Sequence, residues 1–425
     1  MLNSLTIQNF KSVTRAKLEF GLVNLFIGPN GSGKSNLLEA IGIVSAALGR
    51  GVTPQELDYK GIRLSLPHLF KSTFKNRKIP KTFGLSASIG SVEYSVTFRA
   101  SEQSTSFKFQ TERLDENGRH VLGRGPRGAK IHRAKLAKQE LKETLELEDD
   151  RGVYDALKTF ANLSKEDTEE LEAFSKYVIY TPQTAVMRGL TPDTRQLEPL
   201  GLTGSRMARA FREVLDQRRK LAKKSDKKAL KRIDDVLDII WKPGWANSIR
   251  TAAFDSNIVP SHIGTASDMI YIRDKYMKTK RNYLSPYDAS EGTLYLIFVA
   301  TLLAHEDAPK YFALDNVDGT LNPGLVRNLL DHIVEIVCEK HDGLKHPGPR
   351  QIFLTSHNPT ALDALDIFDP AHKIFVVRRN ETSGGTEFVP LLPPEGMTKK
   401  NWIEASKGKN LSRLWLDERF PGALG

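Results

Sequence analysis

GPNGSGKSNLLEAI occupies residues 28–41 of this 425-residue chain. The run contains the phosphate-binding signature G-x-x-x-x-G-K-[ST], in which Lys34 and Ser35 are the last two members. The apolar residues 22–27 before it predict a short buried strand, and residues 36–48 after it predict a helix. A loop between a strand and a helix N-terminus points several backbone N–H groups into one concavity, which suits phosphate oxygens. The stretch therefore predicts a site for a nucleoside triphosphate.

The residue types within this loop match the parts of such a ligand. Glycine allows the backbone to approach the phosphates without a Cβ clash. The Lys34 ammonium can reach the β- and γ-phosphates, and the Ser35 hydroxyl can hold Mg²⁺. We expect the contacts of the loop with the nucleotide to come from Asn30, Gly31, Ser32, Gly33, Lys34, Ser35 and Asn36.

Composition indicates a globular protein with a substantial core, because 40% of the residues are apolar and 8% are aromatic. The single cysteine, Cys338, excludes a disulfide framework and any site built from several cysteines. The first residues lack the apolar core of a signal peptide, and no stretch approaches the length of a membrane span. We therefore expect a cytoplasmic protein without membrane association.

The net charge of +11 is concentrated in clusters. Nine of the fifteen residues from Arg218 to Arg232 are Lys or Arg, and smaller clusters lie at residues 71–81, 124–135 and 273–281. Basic clusters with interleaved aromatic residues such as Tyr276 can follow the phosphate backbone of DNA or RNA. A solvated helix face or a surface for an acidic partner gives the same pattern. The sequence leaves these interpretations open.

Hydrophobic periodicity predicts the order of the elements. Apolar residues spaced by two indicate strands near the N-terminus and again over residues 81–113, whereas residues 118–128 indicate an exposed loop. A pair of amphipathic helices is predicted for residues 207–240. Further along, short apolar strands alternate with helices, which predicts an α/β core with a mainly parallel sheet. The expected divisions are an N-terminal half at 1–200, a helical-pair insert at 201–245 and a C-terminal half at 246–425.

Three later segments place polar residues at the ends of predicted elements. Asp315 follows a buried strand, where it can hold a magnesium ion beside Ser35. His357 follows the next buried strand, and Ser290 opens a helix about 25 residues before Asp315. Each signal is weak by itself, but their order and spacing are specific in combination.

This combination carries a family resemblance. With LTIQNFKS at residues 5–12, SEGTL at 290–294, LDNVDGTLNP at 314–323 and LTSHNP at 354–359, the chain resembles ABC-type ATPases of the RecF and SMC group. It is more similar still to their compact AAA-family branch, which includes OLD-like proteins and ATPase subunits of bacterial anti-phage systems such as Septu. The resemblance implies an ABC-type P-loop ATPase head with a mixed or parallel sheet core, an N-terminal antiparallel β part and a short helical insert.

In this family two ATPase domains dimerise head to tail and enclose ATP between them. The resemblance therefore implies that Ser290 and Gly292 contact the γ-phosphate held by the partner's phosphate loop. It makes His357 the switch histidine that senses this phosphate. The expected partner is a second copy of the chain, in a dimer or a higher oligomer.

The same resemblance implies ATP and Mg²⁺ as cofactors, with further site residues. Ser35 and Asp315 would hold the magnesium ion, and Gln183, in YTPQ after an apolar strand, is the candidate for the glutamine that senses metal and water. Lys11 corresponds to a basic residue after the first strand that approaches the nucleotide in relatives.

One position departs from the family pattern. These ATPases carry a Glu after the magnesium-binding Asp, to polarise the attacking water, and here that position is Asn316. A carboxamide can orient water but cannot accept its proton at neutral pH. Loss of a positioned general base removes about 10²–10⁴-fold in rate, so we expect slow hydrolysis. The open alternative is ordinary turnover with another base, for which Asp318 is the candidate.

Two functions follow from these features. We expect the helical insert to be too short for a coiled-coil rod and the residues after His357 to be too few for an appended nuclease domain. The first function is therefore an ATP-gated sensor and scaffold that regulates a separately encoded nuclease, of HNH or Toprim type, in anti-phage defence. The alternative is a RecF-like DNA-repair ATPase that binds DNA and turns over ATP.

Overall fold

The computed structural model of the chain describes residues 1–75, 77–100, 107–125, 128–131, 147–193, 195, 197–260, 268–339 and 348–417. Its strands are β1 (Leu2–Phe10), β2 (Val13–Glu19), β3 (Val23–Ile27), β4 (Thr82–Ile89), β5 (Val92–Arg99), β6 (Lys108–Glu116), β7 (Arg119–Gly125), β8 (Gly128–Ile131), β9 (Val178–Tyr180), β10 (Ala246–Ala252), β11 (Met269–Asp274), β12 (Tyr283–Leu284), β13 (Tyr311–Leu314), β14 (Gln351–Ser356), β15 (His372–Arg379) and β16 (Thr386–Pro390). Its α-helices are α1 (Lys34–Leu48), α2 (Pro54–Tyr59), α3 (Val153–Leu157), α4 (Lys165–Phe174), α5 (Thr184–Met187), α6 (Met207–Lys224), α7 (Lys227–Leu237), α8 (Glu291–Ala304), α9 (Pro323–Cys338), α10 (Lys399–Ala405) and α11 (Leu411–Leu416).

The central sheet has the strand order β16-β15-β3-β14-β13-β9 in the described part of the chain. From β15 to β9 all neighbours are parallel, and β16 pairs antiparallel with β15. The apolar runs that predicted buried strands lie here, since β3, β13 and β14 are buried along their whole length. The predicted α/β fold with a mixed, mainly parallel sheet is therefore confirmed. Because parallel strands end at one edge, the segments that follow β3, β13 and β14 meet there.

A second sheet is antiparallel, with the order β2-β1-β4-β5-β6-β7-β8. Strand β5 shows the alternation that predicted it, because Val92, Tyr94, Val96 and Phe98 are buried and the residues between them are less so. This sheet is the predicted N-terminal antiparallel part.

The prediction of an exposed loop at residues 118–128 was wrong, because residues 119–125 form β7. Asn117 and Gly118 both have positive φ, at 50° and 74°, which is the geometry of a tight turn between β6 and β7. Val121 and Leu122 beyond the turn are buried in the core. The glycine and arginine content of this segment concealed two inward-facing apolar residues.

Helix α1 lies between the two sheets. All residues from 37 to 48 are buried, and they share one core with Leu85 of β4 and Phe353 of β14. A helix that is apolar on every side is expected in such a position. This packing fixes the helix N-terminus, with Lys34 and Ser35, at the edge where β3 ends.

Helices α6 to α9 pack on the other face of the central sheet. The predicted helical pair is confirmed as α6 and α7, which bury Phe211, Val214, Ile233 and Val236 in the same core as α8. The pair is therefore built into the main core, and the proposed divisions of the chain at residues 200 and 245 stay predictions. Within the described ranges, no helix is both long and apolar enough to cross a membrane.

A small third sheet, β10-β11-β12, was not predicted. Ile270 and Ile272 of β11 face the main core, while Tyr271 between them belongs to a separate small cluster. The sheet leads directly into Ser290 and the start of α8, so it stands beside the predicted signature segment.

Candidate nucleotide site

The phosphate loop links β3 to α1 at the carboxyl edge of the central sheet. Gly33 has a φ of 108°, and a Cβ there would lie 2.2 Å from Thr386 Oγ1. A Cβ at Gly28 would lie 2.0 Å from the carbonyl oxygen of Val377. Both neighbours belong to the β15–β16 hairpin, which supports the loop from behind. Glycine is therefore required at these two positions by packing against the hairpin, and also because the backbone must come close to the phosphates.

A cavity of about 380 Å³ opens in front of the phosphate loop. Its volume falls in the range of small-molecule sites. Two residues that the sequence did not single out, Arg63 and Thr355, contribute to its wall. The predicted residues that line it are Asn30, Gly31, Gly33, Lys34, Ser35, Asn36, Asp315, Asn316 and His357.

The Lys34 ammonium lies within the curve of the loop. Its Nζ donates hydrogen bonds to the carbonyl oxygens of Gly28 at 2.7 Å and Pro29 at 2.9 Å. Burial lowers the pKa of Lys34, and the nearby carboxylates of Asp315 and Asp318 act in the opposite direction. A partly desolvated ammonium on neutral carbonyls is well placed to bind the stronger acceptor oxygens of a phosphate.

Asp315 is oriented by two hydroxyl groups. Ser35 Oγ donates to Asp315 Oδ2 at 2.8 Å, and Thr355 Oγ1 donates to Asp315 Oδ1. The backbone N–H of Asn316 donates to Thr355 Oγ1 at 2.8 Å, which fixes that hydroxyl in turn. Strands β13 and β14 are paired in register up to Leu314 and Leu354, so the next residues of both strands come together. Hydroxyl and carboxylate oxygens are hard donors that suit Mg²⁺, and Ser35 with Asp315 fits this ion.

Asn316 lines the cavity directly after Asp315. Its φ of 60° is left-handed, a conformation that Asn adopts more readily than most residues. Among the described residues of the cavity wall, Asp315 is the one carboxylate, and both of its oxygens already accept hydroxyl hydrogen bonds. The wall thus offers a carboxamide where a water-activating carboxylate is expected.

Asp318 does not line the cavity. Its side chain is 1% exposed, and its Oδ2 accepts the backbone N–H groups of His357 at 3.2 Å and Asn358 at 2.8 Å. His357 Nδ1 lies 3.2 Å from the same oxygen. Asp318 therefore positions the loop that carries His357, whose half-exposed ring reaches the cavity wall. This placement does not suit the alternative role of Asp318 as the base.

Lys11 does not line the cavity, in contrast to its predicted approach to the nucleotide. Its ammonium forms an ion pair with the buried Glu39 and lies 4.6 Å from the ring centre of Phe70. Burial lowers the pKa of Lys11, and Glu39 opposes that shift. Arg63 reaches the cavity instead: its Nε donates to Glu39 Oε1 at 2.6 Å and its guanidinium donates to Asn36 Oδ1 at 3.0 Å. Glu39 holds both cations and orients Arg63 beside the loop.

Two further predicted residues lie near the cavity without lining it. Ser32 is buried, its carbonyl oxygen accepts a hydrogen bond from Thr386 Oγ1 at 2.7 Å, and its contact with the nucleotide stays a prediction. Gln183 is exposed just after β9, and its N–H donates to the carbonyl oxygen of Thr203 at 2.9 Å. Because β9 borders β13, Gln183 lies at the same sheet edge as Asp315. Its role as a metal ligand stays a prediction.

Ser290 and Gly292 lie at the start of α8, outside the cavity. Ser290 is the N-cap: its Oγ accepts the Thr293 N–H at 3.3 Å and lies 2.7 Å from Thr293 Oγ1. Ser290 is exposed, and a Cβ at Gly292 would approach the Leu321 side chain to 3.2 Å. The position agrees with residues that act on a second copy of the chain, and that role stays a prediction.

Only part of the basic run on α6 and α7 is exposed to solvent. Lys223, Lys224 and Lys227 are exposed around the turn between the helices. Arg232 is buried, donates to the carbonyl oxygen of Leu303 at 3.1 Å, and has its pKa lowered by burial. The basic run therefore does not face solvent along its whole length. Most of the basic cluster at 124–135 lies outside the described residues.

Comparison with known proteins identifies the class. A family model described as "AAA domain, putative AbiEii toxin, Type IV TA system" matches residues 23–363, which span the phosphate loop, Asp315 and His357. The chain belongs to this family. It shares short stretches with two proteins described as "DNA replication and repair protein RecF": 56% identity over 45 residues with that of Magnetococcus marinus and 48% over 58 residues with that of Caulobacter vibrioides. These stretches cover 10% and 13% of this chain, and they span only 12% and 15% of those relatives.

Solved structures give the fold. The structure described as "Crystal structure of the SmcHead bound to the C-winged helix domain of ScpA" superposes with a TM-score of 0.51 at 14% identity, over 93% of this chain and 99% of that one. An Smc head domain with an extended coiled coil, from Pyrococcus furiosus, gives a TM-score of 0.48 at 13% identity, over 99% of both chains. The chain therefore contains an AAA domain, a class that binds nucleotide, and its fold is similar to that of the Smc head.

Proposed function

We propose that the chain is an ATP-binding subunit that pairs head to tail with a second copy around ATP and hydrolyses it slowly. In this proposal the ATP-bound pair is a sensor and scaffold that regulates a separately encoded nuclease in anti-phage defence. The observation that carries the slow-hydrolysis part is the cavity wall around Asp315. Among the described residues there, Asn316 stands where a carboxylate base is needed, and Asp318 is bonded to the His357 loop.

In this proposal different residues of the site bind the phosphates, the magnesium ion and the water molecule. Lys34 and the N–H groups at the start of α1 bind the phosphates, and Arg63 adds a second cation on the cavity wall. Ser35 and Asp315 would hold a magnesium ion, which neutralises charge on the β- and γ-phosphates when bound. His357 is held by Asp318 where it can donate to the γ-phosphate. In this arrangement Asn316 can orient a water molecule without taking its proton, so ATP persists.

Pairing of two copies is supported by the exposed start of α8. The N-terminus of a 14-residue helix carries partial positive charge and free N–H groups, and here it presents Ser290 to solvent. It lies away from the chain's own phosphate cavity. A second copy arranged head to tail would supply a γ-phosphate to each of the two helix starts.

Two observations support the scaffold role: the description of the family and the exposed lysines of the chain. The family description names a toxin and a type IV toxin–antitoxin system, which are components of multi-gene bacterial systems. The exposed lysines at the α6–α7 turn offer a docking surface for an acidic partner such as a separate nuclease subunit, of HNH or Toprim type. Copurification from the native operon, followed by identification of the associated chain, tests this role.

A second candidate function is a RecF-like DNA-repair ATPase. It is favoured by the short stretches shared with two RecF proteins and by the basic surfaces. This function requires regular turnover of ATP, whereas the first requires a long-lived ATP state. Steady-state phosphate release therefore distinguishes the two.

Ser290→Arg is expected to block ATP-dependent association while ATP binding by the single subunit stays nearly intact. The substitution places bulk and charge where a partner's γ-phosphate must dock. Light scattering with and without ATP measures association, and calorimetry measures ATP binding.

The matched control is Thr398→Arg, which alters another exposed N-cap hydroxyl, at the start of α10. Loss of a cap costs about 1 kcal/mol of stability, so both variants bear a similar penalty. Association of the Ser290 variant at the wild-type level would contradict pairing through α8.

A further inference from the structure

The loop that joins β11 to β12, residues 275–282, forms a basic hairpin, named here the 275–282 hairpin. Residues 275–281 are all exposed, and Tyr276 is 77% exposed. Four cations accompany that ring: Lys275, Lys278, Lys280 and Arg281. None of the four forms an ion pair with any residue that the structure describes. The hairpin therefore presents four exposed cations around a solvent-facing aromatic ring, and Lys275 Nζ lies 5.0 Å from the centre of that ring.

The 275–282 hairpin is held in shape by its backbone. Asp274 Oδ1 accepts the Tyr276 N–H at 2.7 Å, and the Asp274 N–H donates to the carbonyl oxygen of Asn282 at 2.8 Å. The Arg281 N–H donates to the carbonyl oxygen of Lys278 at 3.0 Å. The backbone positions that carry the cations are thus set before a ligand arrives, which reduces the backbone entropy lost on binding.

The sheet beside the hairpin continues the same chemistry. Arg250 is in register with Tyr271, and Arg273 with Tyr283, so these four residues lie on one face. The Arg250 guanidinium lies 4.6 Å from the ring centre of Tyr283 and 5.2 Å from that of Tyr271. Tyr271 is buried, so Arg250, Arg273 and Tyr283 are the residues of this face that continue the combination of cations and an aromatic ring.

The basic run on α6 and α7 differs from this surface. It contains no aromatic residue between positions 218 and 232. Two of its arginines are paired within the helices, Arg218 with Asp234 and Arg219 with Asp216. That run is a charged surface, whereas the 275–282 hairpin combines charge with a ring on which a base can stack.

We infer that the 275–282 hairpin is a binding site for single-stranded nucleic acid, together with the sheet face that carries Arg250, Arg273 and Tyr283. The four cations contact successive backbone phosphates, and an unpaired base stacks on Tyr276. Stacking on a protein ring requires a base face that is free of its neighbours, which a duplex does not offer. The ligand is therefore a single strand, and the strand is recognised without strong sequence preference.

A hydrogen-bonded route connects this site to the start of α8. The Lys275 N–H donates to the carbonyl oxygen of Trp245 at 3.0 Å, and Trp245 Nε1 donates to Thr293 Oγ1 at 3.2 Å. Thr293 Oγ1 in turn lies 2.7 Å from Ser290 Oγ. This step rests on the proposed function: if Ser290 docks on a partner's ATP, strand binding and ATP-dependent pairing influence each other reciprocally. Single-stranded nucleic acid would then be the class of trigger that the sensor detects.

The site is tested by fluorescence anisotropy with a labelled oligo(dT) of about 20 nucleotides, longer than the about 4–16 nucleotides that one single-strand-binding fold covers. The protein is used without nucleotide. Replacing Lys275, Lys278 and Arg281 by Glu is expected to lower the affinity at least about tenfold. It should also reduce the slope of log affinity against log salt by about 2, because each phosphate contact contributes about 0.7. Tyr276→Ala is expected to weaken single-strand binding about tenfold and to leave duplex binding unchanged.

Two matched variants control for charge and for exposed aromatic area. Replacing Lys223, Lys224 and Lys227 by Glu makes the same charge change on the α6–α7 turn, and Phe160→Ala removes another exposed ring. Both are expected to bind oligo(dT) nearly as the wild type does. Equal loss in the two triple variants, or no effect of Tyr276→Ala, would overturn the site. Tighter binding of oligo(U) with the same response to the variants supports the site and identifies RNA as its ligand. ATP binding is measured separately by calorimetry and tests the proposed function. The single-strand site and the proposed function can therefore fail independently.

Discussion

Lys34→Ala is expected to abolish measurable ATP binding. The variant removes the ammonium that lies inside the phosphate loop, where it now donates to the carbonyl oxygens of Gly28 and Pro29. A hydrogen bond to a charged group contributes about 1.5–3 kcal/mol, and loss of two such bonds to phosphate corresponds to at least about 100-fold in affinity. Calorimetric titration with ATP and magnesium measures the loss, and circular dichroism checks that the fold persists.

Lys11→Met is the matched control for this variant. Lys11 is also a partly buried lysine near the loop, but its ammonium is paired with Glu39 and does not line the cavity. We expect this variant to keep ATP binding. Unchanged affinity in Lys34→Ala, or loss of binding in Lys11→Met alone, would contradict the placement of the phosphates at the loop.

Asn316→Glu is expected to raise the rate of ATP hydrolysis by about 10²-fold or more. A general base contributes about 10²–10⁴-fold, and the other parts of the site, including Ser35, Asp315 and His357, are already in place. The φ of 60° at this position disfavours Glu by about 1 kcal/mol, which places the gain toward the lower end of that range. Steady-state phosphate release at saturating ATP measures the gain.

Asn316→Gln provides the control, because it lengthens the side chain as Glu does without adding a proton acceptor. Its turnover is expected to stay at the wild-type level. If the wild type already turns over ATP as fast as Asn316→Glu does, the slow-hydrolysis proposal fails.

The centre of the fold was predictable because its signals are local. The strand β3, the loop after it and helix α1 are contiguous, and each is marked by apolar runs or by the residues that phosphate binding requires. The positions of Asp315 and His357 followed from the same logic, since both come directly after strands that are buried throughout. Parallel strands that end at one edge bring such residues together without any knowledge of the side-chain contacts.

Other parts of the site depend on contacts that no local pattern marks. Lys11 and Arg63 are both basic residues near the loop, and which of them reaches the cavity depends on how each meets the buried Glu39. In the sequence, Thr355 is an ordinary strand residue. Its hydroxyl donates to Asp315 because β13 and β14 pair in the observed register. Asp318 required the position of the His357 loop before its role could be assigned.

Weak amphipathic patterns account for the missed elements. Strand β10 reads ANSIRTA, where polar residues outnumber the single large apolar one, and its pairing with β11 is the feature that defines it. Strand β7 was concealed by the glycine and arginine content around Val121 and Leu122. In both cases the neighbouring strand, rather than the intrinsic preference of the segment, determines the structure.

The nucleotide that the purified protein retains shows whether two copies pair around ATP and keep it intact. The wild type is incubated with ATP and magnesium, paired and single subunits are separated by size-exclusion chromatography, and the nucleotide in each fraction is identified. We expect intact ATP in the paired fraction of the wild type, and ADP with loss of the pair in Asn316→Glu. ADP in the wild-type protein, or ATP carried by single subunits without pairing, would contradict this expectation.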